Sequence, residues 1–225
     1  MELRRNIKES PFHVAICLTH TFEFIGTQFF DLMMGLKTSS SLSMYRSNLL
    51  PIERNRTMLV DEALKDPSTT HLLFIDTDII PSRKDFVDYM ISYDVPIIGL
   101  LCTKKVPPYE PIMFKWEAPK EEKLGDFWIG YKKGLTEVDS TGTGCLLVKR
   151  EVFEKMPRPY FVFTNSYTQG LYQSEDIYFL ANAKKLGYPI YVDTSVTCVH
   201  MGVKGYGVED FEKGLAENKS IIEDK

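Results

Sequence analysis

The stretch HLLFIDTDIIP, at His71–Pro81, constrains the fold more than any other part of the chain. It opens with a short apolar run and continues with two aspartates, Asp76 and Asp78, on either side of Thr77. An apolar run of this length predicts a strand buried on both faces. Because residues two apart on a strand point the same way, we expect both carboxylates to face one pocket at the strand's carboxyl end, where α/β sheets bind ligands.

The Asp pair has several interpretations. Neighbouring carboxylates repel each other unless a cation lies between them, and Mg²⁺ or Mn²⁺ is often held by carboxylates together with substrate phosphates. A surface turn is the simpler interpretation, because Asp is common in turns. Phosphatases of the haloacid-dehalogenase type also place Asp-x-Asp after an apolar strand, but near the start of the chain and with a Thr soon after. Here Ile79 and Ile80 follow, so the phosphatase is disfavoured, while the metal site and the turn stay open.

The first hundred residues alternate between apolar runs and segments with helical spacing. Such alternation predicts a parallel sheet with crossover helices. The predicted strands are Phe12–Thr19, Leu42–Leu49, His71–Ile75 and Val95–Leu101, and the predicted helices are Phe22–Leu36, Arg54–Leu64 and Lys84–Tyr93.

The second half is less regular. Residues Lys104–Gly134 show no clear period. Beyond them we predict strands at Gly144–Lys149, Tyr160–Thr164 and Pro189–Val192, and helices at Glu151–Met156, Glu175–Leu186 and Val208–Lys225. Ser174 before the second of these helices and Gly187 after it are typical cap residues.

Composition excludes several classes of protein. The 225 residues carry a net charge of −4, so no nucleic-acid-binding surface is expected. Apolar runs are too short to cross a membrane, and the charged start MELRRNIKES is unlike a signal peptide. The four cysteines form no C-x-x-C pair and lie mostly in apolar runs. We therefore expect buried thiols in a reducing compartment and a cytoplasmic location.

Four further features carry candidate chemistry, and each also has a structural interpretation. Arg54–Asn55 begins a helix and can contact an anion or a base, or can be a solvated helix end. Ser174 precedes Glu175–Asp176, where an acid can act as general base or belong to a helix cap. His200 can complete a manganese site beside the Asp pair or be a lone structural histidine. Gly202–Gly207 can approach a ligand closely or form a loose tail.

Taken in order, these features resemble a glycosyltransferase of the GT-A fold, near the large family-two type. The resemblance covers roughly residues 12–202 and implies an α/β fold with a mostly parallel, Rossmann-like sheet and helices on both faces. The matching segments are Thr19 at the end of the first strand, RN at Arg54–Asn55, FIDTDI at Phe74–Ile79, GTGCLLVKREVFE at Gly142–Glu154, SEDIYFLANAKKLGYPIYVD at Ser174–Asp193 and VH at Val199–His200.

The resemblance also implies roles for individual residues. Asp176 would deprotonate the acceptor hydroxyl, with Glu175 supporting it or contacting the acceptor. The implied ligands of Mn²⁺ or Mg²⁺ are Asp76, Asp78 and His200. The residues implied to bind the nucleotide sugar are Thr19, Arg54, Asn55, Asp76, Thr77 and Lys204. The family's usual Asp after the second strand has no clear counterpart, since only Asn48 or Glu53 stands near.

On this resemblance we expect a single GT-A domain over residues 1–225. Residues 12–102 would form the nucleotide-sugar-binding half, 103–207 the acceptor-binding half and 208–225 a tail. In the acceptor half, Trp116, Trp128 and Tyr131 either stack on sugar rings or pack in the core.

The expected reaction is metal-dependent transfer of a sugar from a nucleotide-diphosphate sugar, such as a UDP- or GDP-sugar, to a glycan or other hydroxyl acceptor, with inversion. A sugar-1-phosphate nucleotidyltransferase is the first alternative, but it would need a Gly-rich, basic loop after the first strand, and Thr19–Gly26 has none. A non-catalytic protein that binds sugar nucleotides is the second alternative.

Overall fold

The strands of the central sheet are apolar because helices cover both faces of the sheet. The computed structural model describes residues 11–20, 25–48, 51–115, 133–166, 171–202 and 205–223. The strands are β1 (His13–Thr19), β2 (Ser41–Ser47), β3 (His71–Asp76), β4 (Ile79–Pro81), β5 (Ile97–Leu101), β6 (Met113–Phe114), β7 (Leu135–Val138), β8 (Ser140–Thr141), β9 (Cys145–Lys149), β10 (Thr164–Ser166), β11 (Leu171–Gln173), β12 (Ile190–Met201) and β13 (Gly205–Tyr206). The helices are α1 (Thr27–Met34), α2 (Ile52–Leu64), α3 (Phe86–Ile91), α4 (Arg150–Lys155), α5 (Glu175–Lys185) and α6 (Val208–Glu223).

The main sheet has the order β12-β5-β9-β3-β1-β2 through its centre, with β13 beyond β12. Strand β1 is parallel to β2 and β3, and β5 is parallel to β12. Strand β9 is antiparallel to both of its neighbours, β3 and β5, so it alone among these six strands runs in the opposite direction. The carboxyl ends of β1, β2 and β3 therefore share one edge. The predicted α/β class, with a mostly parallel, Rossmann-like sheet of the GT-A type, is confirmed.

Each face of the sheet has its own hydrophobic cluster. Along β1, Val14 and Ile16 belong to one cluster, whereas Ala15 and Cys17 belong to the other. Helices α1 and α3 cover the first face, and α2, α4 and α5 cover the second. Alternate residues of one strand are thus buried in opposite directions, which explains the continuous apolar run.

Two expectations for the second half were wrong. Residues 160–163 form no strand, because Phe161 leaves the sheet and packs on Phe179 of α5, with ring centroids 4.8 Å apart. The neighbouring strand, β10, begins only at Thr164. The last long strand continues far beyond the predicted Val192, so that His200 lies within β12 rather than after it.

All four cysteines are buried and unpaired, as predicted: Cys17, Cys102, Cys145 and Cys198. Within the described ranges, the chain forms no helix with the length and apolarity needed to cross a bilayer. Trp116, Trp128, Tyr131 and Lys204, which the sequence singled out, lie outside the described residues.

The pKa of His71, the first residue of β3, gives a prediction for how folding stability depends on pH. His71 is 5% exposed, and burial, together with the nearby positive charge of Lys149, lowers its pKa to about 4. The unfolded chain, with the ordinary histidine pKa near 6.5, binds this proton more readily, so folding stability falls as pH drops from about 6.5 to about 4. A pKa difference of this size corresponds to roughly 3 kcal/mol. His71→Asn should flatten this part of the pH dependence in urea unfolding. An unchanged slope would show that His71 does not titrate in this way.

Candidate functional site

A cleft of about 450 Å³ opens at the carboxyl edge of β1 and β3. Its volume lies within the usual range for small-molecule sites. The ends of both strands, the approaches to α1 and α2, and the turn after β3 form its walls. Among the residues that line it are Thr19, His20, Asn55, Asp76, Thr77, Asp78 and Lys105. The cleft therefore lies where α/β sheets bind ligands, and much of its lining is polar.

The two aspartates both line the cleft, as expected, but they have different partners. Asp76 is the last residue of β3, whereas Asp78 follows in the turn that leads to β4. Strand β4 pairs antiparallel with β12, and this pairing places Ile79 opposite His200. The change of direction after Asp76 gives the two carboxylates different partners within the same cleft. Asp76 faces β1 and α2, while Asp78 faces the end of β12.

Asp76 is held by a network that sequence analysis missed. Thr19 Oγ1 donates a hydrogen bond to Asp76 Oδ1 at 3.0 Å, and Arg56 Nη2 donates to the same oxygen at 3.3 Å. The other end of the guanidinium, Nη1, donates to Glu175 Oε1. Arg56 and Glu175 are 4% and 5% exposed. One buried cation thus joins the acid at the end of β3 to the first acid of α5.

Glu175 is accordingly a structural partner of Arg56. Burial raises the pKa of Glu175, Arg56 opposes this rise, and the charges of Asp176 and Asp76 add to it. The sequence-based alternative in which Glu175 contacts the acceptor does not fit a carboxylate so deeply buried. The other sequence-based alternative, in which Glu175 supports Asp176, fits because Glu175 fixes the start of α5.

Arg56 had a detectable signal in the sequence. The apolar residues Leu59, Val60 and Ala63 of α2 are buried. Residues four positions earlier lie on the same face of a helix, so Leu59 and Val60 imply that Asn55 and Arg56 also point inward. Arg54 falls outside this face and is exposed. It lines a different cavity, and the structure does not bring it to the cleft.

Asp78 lies between a lysine and a histidine. Lys105 Nζ is 2.5 Å from Asp78 Oδ2, and His200 Nε2 is 3.5 Å from the same oxygen. Burial acts to raise the pKa of Asp78, but the hydrogen bonds and charges of His200 and Lys105 outweigh it and lower the pKa to about 2. His200 Nδ1 lies 2.7 Å from the carbonyl oxygen of Thr103 and must donate to it. Nε2 is therefore the ring nitrogen that faces Asp78. It donates to the carboxylate when it carries a proton, and its lone pair can bind a cation when it does not.

This arrangement fits part of the expected metal site. A carboxylate and an imidazole whose tautomer is fixed by a backbone carbonyl are a suitable pair of ligands for Mn²⁺. Asp76 belongs to the other network, and the described residues contain no group of three His, Cys, Asp or Glu side chains placed to hold an ion. Asp78 and His200 could therefore hold a cation only with further ligands from the substrate. In the structure, Lys105 is the cation beside Asp78.

Asp176 and Asp76 both lie beside the turn at Gly142–Gly144. A Cβ atom added to Gly142 would lie 3.8 Å from Asp176 Oδ2, and one added to Gly144 would lie 3.8 Å from Asp76 Oδ2. The same added atoms would come within 3.1 Å of Ile112 and 3.2 Å of Ile79. Glycine therefore lets the turn before β9 pass close to both acids.

Ser174 stands at the N-cap position of α5 without capping it through its side chain. Its hydroxyl instead donates to Asp176 Oδ1, which also accepts the backbone N–H of Ile177 at 2.8 Å. The expected serine cap was thus right in position and wrong in its hydrogen bond. Its effect is to fix one oxygen of Asp176 and leave Oδ2 on the side of Gly142.

Comparison with known proteins supports the fold. No family model and no curated protein matches the sequence. The crystal structure of A197 from STIV is similar, with a TM-score of 0.60, 18% identity, and coverage of 85% of this chain and 86% of that one. At this identity the similarity shows the fold alone.

Two looser similarities are to a UDP-glucose pyrophosphorylase and to a glycosyltransferase. UDP-glucose pyrophosphorylase complexed with UDP-glucose has a TM-score of 0.42 and 13% identity over 93% of this chain and 81% of that one. A glycosyltransferase involved in glycosylation of the major capsid of PBCV-1 has a TM-score of 0.36 and 13% identity over 71% and 72%. TM-scores this low support no conclusion about function, so the proposed function rests on the geometry of the site.

The buried bridge gives a stability prediction. Arg56→Met should lower the free energy of unfolding by about 3–5 kcal/mol, because it leaves the buried Glu175 without its partner. Adding Glu175→Gln should restore part of the loss by removing the unpaired charge. The matched control is Arg158→Met, which breaks the more exposed pair with Asp61 and should cost about 1 kcal/mol or less. Urea unfolding measures all three, and equal losses for Arg56→Met and Arg158→Met would contradict the bridge.

Proposed function

We propose that the protein is a glycosyltransferase that moves a sugar from a nucleotide-diphosphate sugar, such as a UDP- or GDP-sugar, to an acceptor hydroxyl with inversion. The observation that carries this proposal is the arrangement of acids around the Gly142–Gly144 turn. Asp76 and Asp78 line the cleft, and Asp176, which is outside the cleft lining, lies beside the same turn at Gly142. The sequence resemblance to GT-A glycosyltransferases assigns these same positions to donor binding and to the catalytic base.

The nucleoside would bind where β1, β3 and α2 meet. Asp76 is oriented by Thr19 and Arg56, so its carboxylate is prepared to accept hydrogen bonds from ribose hydroxyls. Asn55 lies in the cleft wall, and its side-chain oxygen accepts a hydrogen bond from Ser47 Oγ at 3.0 Å. That bond fixes the amide and leaves its NH₂ group to donate to a base.

The diphosphate would lie beside Asp78. Lys105 lines the cleft and carries a positive charge that can stabilise the departing diphosphate. Asp78 and His200 are the residues that would hold Mn²⁺ or Mg²⁺, with the diphosphate as the remaining ligand; the bound ion would further neutralise the leaving group. Lys105 would then move from Asp78 to a phosphate oxygen.

Asp176 would act as the general base. Ser174 and the N–H of Ile177 hold Oδ1, so Oδ2 is the oxygen available to a substrate. The acceptor hydroxyl gives its proton to this oxygen as its own oxygen attacks the anomeric carbon. The bond from that carbon to the diphosphate breaks, and the nucleoside diphosphate leaves with the electron pair. Attack from the face opposite the leaving group inverts the configuration.

Asp176→Asn tests this role, because it keeps the size of the side chain and removes its basicity. We expect normal melting, normal donor affinity and a loss of transfer of about 10²–10⁴-fold, as is usual for a general base. Glu154→Gln is the control, because Glu154 is a more exposed acid that pairs with Arg150 away from the cleft; an equal loss of transfer there would contradict the role of Asp176. NMR of the product should show inverted anomeric configuration, and retention would contradict the mechanism. Formation of the nucleotide sugar from a nucleoside triphosphate and a sugar 1-phosphate would instead identify a nucleotidyltransferase.

Asp78→Asn tests the diphosphate site. A ligand that binds only the folded chain raises its melting temperature, so UDP with Mn²⁺ should stabilise the parent protein. The variant should lose most of this stabilisation, because it removes the charge that would bind the ion. Glu110→Gln is a matched control, since Glu110 pairs with the neighbouring Lys104 at 2.8 Å. Equal stabilisation of Asp78→Asn and Glu110→Gln would refute the assignment of Asp78.

A further inference from the structure

A second cavity, of about 470 Å³, lies on another face of α2. Ile52 and Asn55 of this helix line the cleft described above, whereas Glu53, Arg54 and Thr57 line the second cavity. Helical spacing of about 100° per residue explains this division. In the described part of the chain the two cavities share no lining residue. The second cavity is therefore a separate site, which the donor does not need.

Its polar groups combine positive charge with unused hydrogen-bonding atoms. Arg54 and Arg158 contribute two guanidinium groups, which bind carboxylate and phosphate well. Arg158 already pairs with Asp61, whereas Arg54 has no carboxylate partner in the described part of the chain. Thr57 is only 8% exposed, and its hydroxyl has no hydrogen-bond partner within the described ranges. Glu53 Oε2 is likewise buried without a partner there. Buried polar atoms are usually satisfied, so these two indicate a ligand that completes their hydrogen bonds.

The rest of the lining is apolar. Met58 and Pro159 are exposed, and Phe163 is half-buried beside them. A sugar ring has a C–H face that packs on such side chains and hydroxyls that bond to groups like Thr57 and Glu53. Two arginines in the same cavity add a preference for an anionic substituent. The ligand chemistry indicated is thus a sugar that carries a carboxylate or a phosphate.

The cavity is mechanically connected to the proposed base. The segment that supplies Arg158 and Pro159 continues to Phe161, whose ring stacks on Phe179 of α5. The same helix begins with Asp176. On the other side, α2 carries Arg56, which bonds to Asp76 and Glu175. A ligand in this cavity would therefore contact elements that also hold Asp76 and Asp176.

We propose that the second cavity binds an anionic sugar unit of the acceptor, a uronate or a phosphorylated sugar. The assignment of this ligand to an acceptor rests on the proposed transferase activity, whereas the binding site itself does not depend on that activity. It also reassigns Arg54, which the resemblance placed on the nucleotide.

Binding is tested first, on the full chain and without donor. Glucuronate is the probe, and glucose is its neutral counterpart, both titrated by ligand-observed NMR. We expect the parent to bind glucuronate and not glucose, and Arg54→Gln and Arg158→Gln each to weaken glucuronate binding at least tenfold. Lys65→Gln is the matched control, because Lys65 is an exposed cation just after α2 that pairs with the nearby Glu62 and does not line the cavity. Equal affinity in the parent and both arginine variants would overturn the site.

The affinity for UDP with Mn²⁺ separates this site from the donor cleft. Arg54→Gln should leave it unchanged, within about twofold, and a tenfold loss would return Arg54 to nucleotide binding and overturn the proposal. If the parent binds glucuronate through Arg54 but shows no affinity for UDP, the transferase proposal fails and the anion site stands.

Transfer assays distinguish an acceptor from a free effector. With a glucuronate-containing oligosaccharide as acceptor, Arg54→Gln should raise KM at least tenfold with little change in kcat, as loss of uniform binding does. Free glucuronate should then compete with the acceptor. Activation of transfer to a neutral acceptor by free glucuronate, without competition, would overturn the assignment as an acceptor subsite.

Discussion

The arrangement of this site depends on one buried guanidinium. Arg56 bonds to Asp76 at the end of β3 and to Glu175 at the start of α5, and all but a few per cent of its surface is buried. Removing such a charge from water is expensive unless its partners are well placed, so this pairing fixes the distance between two elements that are far apart in sequence. The strand that ends in Asp76 and the helix whose first turn carries Asp176 are thereby held at one site.

The antiparallel β9 provides the second constraint. Because it enters the sheet between β3 and β5, the turn that precedes it crosses the edge where the acids lie. Only glycine at positions 142 and 144 lets this turn pass between the neighbouring side chains without displacing them. The turn therefore lies close to both Asp76 and Asp176, which belong to different elements of the fold.

Sequence patterns predicted the strands and helices of the first half well, because each element buries a regular stripe or run and turn residues separate them. The same patterns predicted less well which strands pair with one another in the sheet. Nothing local in Cys145–Lys149 indicates that this strand would insert between β3 and β5, since sheet order is set by contacts distant in sequence. The failed strand at residues 160–163 is similar: Phe161 has the expected apolarity, but tertiary packing on Phe179 decides its conformation.

Among the candidate site residues, those at ends of elements were located correctly and their partners were not. Asp76, Asp78 and Asp176 lie at the ends or turns where the pattern placed them, whereas His200 lies within β12. The contacts of these acids with Arg56, Lys105 and Ser174 depend on side-chain direction. Arg54 shows the same limit, since one helical step decides whether an arginine faces the cleft or the second cavity.

The most direct measurement of the proposed site is a crystal structure with UDP and Mn²⁺. The proposed site predicts the base near Thr19 and Asn55 and the diphosphate beside Asp78 and Lys105, whereas a nucleotide bound in the second cavity against Arg54 would contradict it.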